Sequence, residues 1–178
     1  MKRILALFTI AAALVFAAKT VSHQSMVAVE KSCDRSLRSL NPDDPFSLLS
    51  FTQGVYLENY GAVFMAEINL AEGAGTTPFR QVVPKETLER VRSKKIARLP
   101  QLRKQMQEML LASAAMLDAI PPNEKIAIGV SLFHHPGELT NGLPSQILME
   151  APRGALVELQ TGRRDRATID SVIRVQQF

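Results

Sequence analysis

The clearest pattern in the chain is an alternation of apolar and polar residues between Gln53 and Leu70. Val55-Tyr56-Leu57 is a short apolar run, and Glu58-Asn59-Tyr60-Gly61 has the composition of a turn. From Ala62 to Leu70 every second residue is apolar, while the residues between them become polar toward the end. This segment therefore predicts a β-hairpin whose second strand buries one face.

A helical pattern extends from Pro84 to Ile120. Apolar residues recur near the helical period, Pro84 suits a first helical position, and Pro121-Pro122 ends the pattern. Pro100 interrupts it, because a proline in a helix interior costs about 3 kcal/mol. The sequence predicts one long helix that kinks at Pro100, or two helices that meet there.

Shorter elements follow. Lys125–Phe133 has two apolar or small faces, as in the central strand of a sheet, and Ser145–Ala151 predicts a strand antiparallel to it. Pro152 opens a short helix through Leu159, and Asp170–Phe178 predicts a last strand or a continuing helix. We expect an α+β fold: a largely antiparallel sheet of about five strands, with one long helix and a short second helix packed on one face.

The amino-terminal residues predict export. Lys2 and Arg3 precede the uncharged run Ile4–Ala18, which closes on small residues suited to cleavage after Ala17 or Ala18. As a helix this run reaches about 22 Å, short of a bilayer core of about 30 Å. We therefore expect a signal peptide at 1–18 and no integral membrane span after processing, with an uncleaved anchor as the alternative.

The residues that follow the apolar run lack a sustained period, and Asn41-Pro42-Asp43-Asp44-Pro45 is rich in turn formers. The expected organisation is a flexible leader at 19–45 and a single α+β domain at 46–178. Cys33, the one cysteine, falls in this leader and has no partner for an internal disulfide. We expect no consequence from its thiol, with an intermolecular link as the alternative.

The positive charge is local. The chain carries a net charge of +4, and removing Lys2 and Arg3 leaves +2. The segment 85–104 holds eight basic and two acidic residues, so the rest of the processed chain has a net charge of −4. Such a distribution differs from the general basicity of many nucleic-acid-binding proteins, and aromatic residues are not interleaved with the cations.

This basic segment is the predicted binding surface, with an anionic envelope surface or an acidic protein as its partner. An ordinary solvated helix face is the alternative. The candidate binding residues on the helix are Arg92, Lys95, Arg98, Arg103 and Lys104.

Catalytic patterns are weak. His134, His135 and Glu138 are residue types that bind metal, but neighbouring residues in a strand point to opposite faces, so we expect two loop histidines and no metal site. The spacing around Ser131 lacks the glycine that follows a nucleophile elbow, and Gly73-Ala74-Gly75 is not a dinucleotide fingerprint. No cofactor is expected.

The sequence thus predicts an exported protein, periplasmic or secreted, that acts as a non-catalytic binding or structural module. One alternative is an envelope hydrolase whose site is assembled from distant residues, including His134 or His135. Another is a scaffold held at the membrane by an uncleaved amino terminus.

Overall fold

A computed structural model describes residues 21–40, 46–72 and 83–178. The predicted signal peptide and parts of the predicted leader lie outside these ranges. The helices are His23–Arg38 (α1), Lys85–Met116 (α2), Arg153–Gln160 (α3) and Ile169–Val172 (α4). The strands are Ser47–Leu57 (β1), Gly61–Asn69 (β2), Lys125–Leu132 (β3), Gln146–Pro152 (β4) and Arg174–Gln177 (β5).

The five strands form one sheet in the order β1-β2-β3-β4-β5. Three of the four strand pairs are antiparallel, and β2 pairs with β3 in parallel because α2 carries the chain back between them. The predicted hairpin is β1–β2, and its turn uses a positive φ at Asn59 (65°) and at Gly61 (125°). The predicted α+β class is confirmed.

The alternation of residues along β2 buries one face of the strand, as the sequence predicts. Ala62, Phe64 and Ile68 are buried on one face of the strand, whereas Val63 and Met65 are only half-buried on the other. The buried face packs with α1, α2 and α3 in one hydrophobic cluster, so the core lies between the helices and one face of the sheet. In the described chain no helix packs against the opposite face.

The long helix α2 continues through Pro100, which lies on its exposed side. Of the two alternatives, a single helix therefore forms, and it ends at Met116, four residues before the predicted end at Ile120. At the carboxyl end of the chain, both proposed conformations occur in succession, since α4 is followed directly by β5.

The prediction of a flexible leader is wrong for residues 23–38, which form α1. Ser22 caps this helix, because its hydroxyl accepts a hydrogen bond from the Ser25 amide at 3.1 Å. The helix buries a stripe at three- and four-residue intervals, formed by Met26, Val29, Cys33 and Leu37. Residues 23–38 therefore belong to the folded domain, and the domain core includes Cys33.

Candidate functional site

The five basic residues that were expected to share one exposed face of α2 do not do so. Lys95 is 0% exposed and Arg98 is buried, so neither is available to a partner. Arg92 Nε donates to the Asn141 carbonyl at 2.7 Å, and Arg103 donates to Gln177 Oε1 at 2.9 Å. Among the five, Lys104 alone is exposed.

Arg98 has a structural role in the protein interior. It donates a hydrogen bond to the Leu70 carbonyl, and its guanidinium lies 5.4 Å from the centre of the Phe46 ring. A buried guanidinium that is bonded and stacked in this way is part of the packing between α2 and the end of β2.

Lys95 forms the centre of a buried charged cluster with the loop that follows β3. Its ammonium donates to Glu138 Oε2 at 2.5 Å and to the Phe133 carbonyl at 3.0 Å. Glu138 Oε2 also lies 3.9 Å from Nδ1 of His134, whose Nε2 is 3.2 Å from the Pro144 carbonyl. The structure therefore brings His134 and Glu138 together, whereas His135 packs its ring edge-to-face against Phe133 at 4.8 Å.

This cluster resembles a metal site only in part. Two of its atoms, His134 Nδ1 and Glu138 Oε1, are buried without a hydrogen-bond partner among the described residues. However, the described chain contains no group of three potential metal ligands, and the Lys95 ammonium already supplies the positive charge beside Glu138. The cluster is best understood as a desolvated ion pair that ties the β3–β4 loop to α2.

A cavity of about 430 Å³ lies beside the loop, but none of the three clustered side chains lines it. Its lining residues are Glu89, Arg92, Ser93, Leu139 and Asn141. His134 therefore does not line this cavity.

A second charged cluster lies on the sheet face opposite the helices. Glu150 accepts hydrogen bonds from the Tyr60 hydroxyl at 2.7 Å and the Lys125 ammonium at 3.0 Å, and Arg174 lies 3.6 Å away. Burial raises the pKa of Glu150, but the two hydrogen bonds and the two cations outweigh it and leave the pKa below its ordinary value. Burial and the bond to Glu150 raise the pKa of Tyr60 to about 12. Tyr60, Lys125 and Arg174 therefore satisfy the buried Glu150 carboxylate.

An exposed basic stripe lies on α1, where the sequence analysis expected no structure. Lys31, Arg35 and Arg38 are spaced at i, i+4 and i+7, which places them on the same side of the helix, and all three are exposed. They are the basic stripe referred to below.

The acids of α1 are bonded to the edge strand β1. Asp34 accepts hydrogen bonds from the Thr52 amide at 2.8 Å and the Thr52 hydroxyl at 2.7 Å, and Glu30 accepts from the Gly54 amide at 2.8 Å. These bonds satisfy backbone donors that an edge strand otherwise exposes, and they use one oxygen of each carboxylate. The stripe therefore carries three exposed positive charges beside Asp34, whose carboxylate is held against β1.

The basic stripe borders a groove against β1. Lys31, Arg35 and Arg38 line a cavity of about 570 Å³ together with Asp34, Ser39 and Phe51. Phe51 is 64% exposed, and the Arg38 guanidinium lies 5.2 Å from its ring centre. Leu49, on the same strand, is also exposed. The α1–β1 surface, defined as the basic stripe with Phe51 and Leu49, thus combines cations with exposed apolar side chains.

The sequence does contain a pattern that predicts the helix carrying this surface. Met26, Val29, Cys33 and Leu37 follow the helical period, and Ser22 is a favourable cap. The segment is instead predicted to be a leader, because residues 21–25 and 41–45 lack a sustained period and the second of these stretches is rich in turn formers.

In the described part of the chain, no helix has both the length and the apolarity needed to cross a bilayer. No protein-family model matches the chain, and no curated protein or solved structure is significantly similar to it.

Proposed function

We propose that the protein is an exported, non-catalytic binding module of the cell envelope, and that its α1–β1 surface binds the anionic headgroups of a lipid surface. Export rests on the basic residues and apolar run at 1–18. Binding rests on one observation: the exposed cations Lys31, Arg35 and Arg38 line one groove with the exposed ring of Phe51 and outnumber Asp34, the acid that lines it with them.

The physical basis is additive electrostatics with an apolar contribution. Each cation near an anionic membrane surface contributes about 1 kcal/mol, so the three together contribute about 3 kcal/mol. Phe51 adds an aromatic ring next to the cations, and aromatic rings favour the boundary between headgroups and acyl chains. Seven residues of helix place the cations along about 10 Å, so that several headgroups are contacted at once.

The α2 segment offers a weaker surface. Its exposed side carries Arg90, Lys94 and Lys104, but Glu86 lies one turn before Arg90, and Glu108, which pairs with Arg166, lies one turn after Lys104. The geometry also gives less support to the hydrolase hypothesis, because Lys95 neutralises Glu138 and the adjacent cavity is lined by other residues.

Flotation with vesicles tests the proposal. The processed chain is mixed with vesicles of neutral lipid or of neutral lipid containing a phosphatidylglycerol fraction, at low and at physiological salt. We expect binding to the anionic vesicles alone, and weakening with salt because exposed charges are screened over about 8 Å at physiological ionic strength. Replacing Lys31, Arg35 and Arg38 with glutamate should reduce affinity at least about 100-fold.

The matched control reverses Arg90, Lys94 and Lys104, which gives the same change in charge on α2. This control should bind within about threefold of the wild type, since its cations do not line the groove that contains Phe51. An equal loss of affinity in both variants would show that the protein is attracted to the vesicles by its net charge alone. The proposal would be contradicted if the α1 variant bound with wild-type affinity. It would also be contradicted if the wild type did not bind at low salt.

A further inference from the structure

The sheet face opposite the helices has an apolar centre. Val55 and Val63 are paired across β1 and β2, and Met65 and Leu148 lie on either side of Gly129. A Cβ at Gly129 would lie 2.2 Å from Met65 Sδ, so the glycine lets Met65 extend across β3 toward Leu148. The result is a continuous apolar band across four strands.

This band remains accessible in the described chain. Val55 is 50% exposed and Leu57 is 47% exposed, although both belong to a strand of the main sheet. Val63, Met65 and Leu148 are half-buried by their neighbours on the sheet. Exposed contiguous apolar surface of this kind marks a contact site in a folded protein.

Charges lie at opposite ends of the band. Glu67 is at the end where β2 finishes, and Lys125 is at the other end, paired with Gly61 six residues earlier on β2. Lys125 and Arg174 both pair with Glu150, so these three groups together carry one positive charge, while Glu67 contributes one negative charge at the other end. Six residues of strand separate the ends by about 20 Å.

This polarity matches a second copy of the same chain. When two copies stack face to face about a two-fold axis that runs across the strands, the Glu67 end of each lies over the Lys125 end of the other. The apolar bands then meet at the centre, in the aligned sheet packing common in β-sandwiches. A partner with one sign of charge would match only one end.

The area of this sheet face limits how tightly two copies can associate. Five strands and about seven residues per strand give a face of roughly 24 by 23 Å, so two copies would bury about 1,100 Å². This value lies near the lower limit for a specific interface, which indicates a weak, reversible dimer.

We propose that the open sheet face, defined as Val55, Leu57, Val63, Met65 and Leu148, is the interface of a weak homodimer. The dimer is independent of the α1–β1 surface, because α1 lies on the helical side of the sheet. It leaves the basic stripes of both copies exposed.

Sedimentation velocity over a range of concentrations tests this inference on the processed chain. We expect a dissociation constant on the order of 10–100 µM. Val55→Asp should weaken association at least tenfold, because it places a charge in the apolar band. Val175→Asp is the matched control: Val175 is an edge-strand valine that is 41% exposed, but it pairs with Met149 on the helical side. This control should dimerise as the wild type does.

A second variant keeps the test informative if Val55→Asp does not fold. Glu67→Lys reverses the charge at one end of the face and should also weaken the dimer, while circular dichroism confirms the fold. A wild type that stays monomeric at 500 µM would overturn the inference. So would equal effects of Val55→Asp and Val175→Asp. A monomer whose melting temperature falls with Val55→Asp would instead indicate that another segment of the same chain covers the face.

Discussion

Replacing Lys95 with methionine is expected to destabilise the fold strongly. Methionine has a similar length and removes the ammonium, so Glu138 and the Phe133 carbonyl lose their donor. Lys95 is fully buried, and Glu138 Oε1 already has no hydrogen-bond partner in the described chain, so solvent cannot replace what is lost. Removing one partner of a buried ion pair costs about 3–5 kcal/mol.

Urea denaturation at neutral pH measures this cost. The double variant Lys95→Met with Glu138→Met removes both charges, and we expect it to recover most of the lost stability, since apolar replacement of a buried ion pair is often neutral. Lys104→Met is the control, and this exposed site on the same helix should change stability by less than about 0.5 kcal/mol. The double variant also provides a readable result if Lys95→Met does not fold.

Two results would refute this reasoning. One is a loss of less than about 1 kcal/mol in Lys95→Met, which would mean that Glu138 is hydrated. The other is a double variant no more stable than the single one. By the same reasoning, Lys95→Glu should also destabilise the fold, because it would place two carboxylates in one buried site.

Three further outcomes are expected. Intact-mass measurement of exported protein should give a chain that begins at Ala18 or Lys19, and a full-length chain in the membrane fraction would favour the anchor instead. Burial raises the pKa of Cys33 to about 12, so its thiol should resist alkylation at pH 8 until urea unfolds the protein, and rapid labelling of native protein would contradict its buried position. Because the pKa of Tyr60 is raised to about 12, the folded state keeps a proton that the unfolded chain releases near pH 10. The stability from this group should therefore be complete below pH 10 and lost as pH rises toward 12, and a Tyr60→Phe variant with an unchanged alkaline stability profile would exclude that origin.

The strands were predictable because their burial repeats with a simple period. In β2 and β3 the apolar alternation alone identifies which face meets the helices, and turn residues mark the ends. The long helix was also predictable, and its continuity through Pro100 depends on that residue lying on the solvent side, which the sequence leaves open.

The candidate site was harder to predict because residue type is a poor guide to exposure for long cations. Lys95 and Arg98 were assigned to the surface by their charge, yet their partners, Glu138 and the Leu70 carbonyl, are distant in sequence. The position of these partners follows from the return of the β3–β4 loop over α2. No local pattern contains that information.

The basic stripe was missed for a related reason. Glu30 and Asp34 make the sequence of α1 look electrically mixed, and only the structure shows that both acids accept hydrogen bonds from β1 while the three cations stay exposed. Charge segregation on a helix is readable from sequence, but the bonding of two acids to a distant strand is not.

Labelling at two matched alanines tests the proposed binding surface most directly. Ala28 is exposed on the same side of α1 as the basic stripe, and Ala97 is exposed on α2. Each is replaced with cysteine in turn and coupled to an environment-sensitive fluorophore, while the buried native Cys33 stays unreactive. On addition of anionic vesicles at low salt, the label at position 28 should shift to shorter wavelength and the label at position 97 should not. A shift at position 97 alone, or at neither position, would contradict binding through α1.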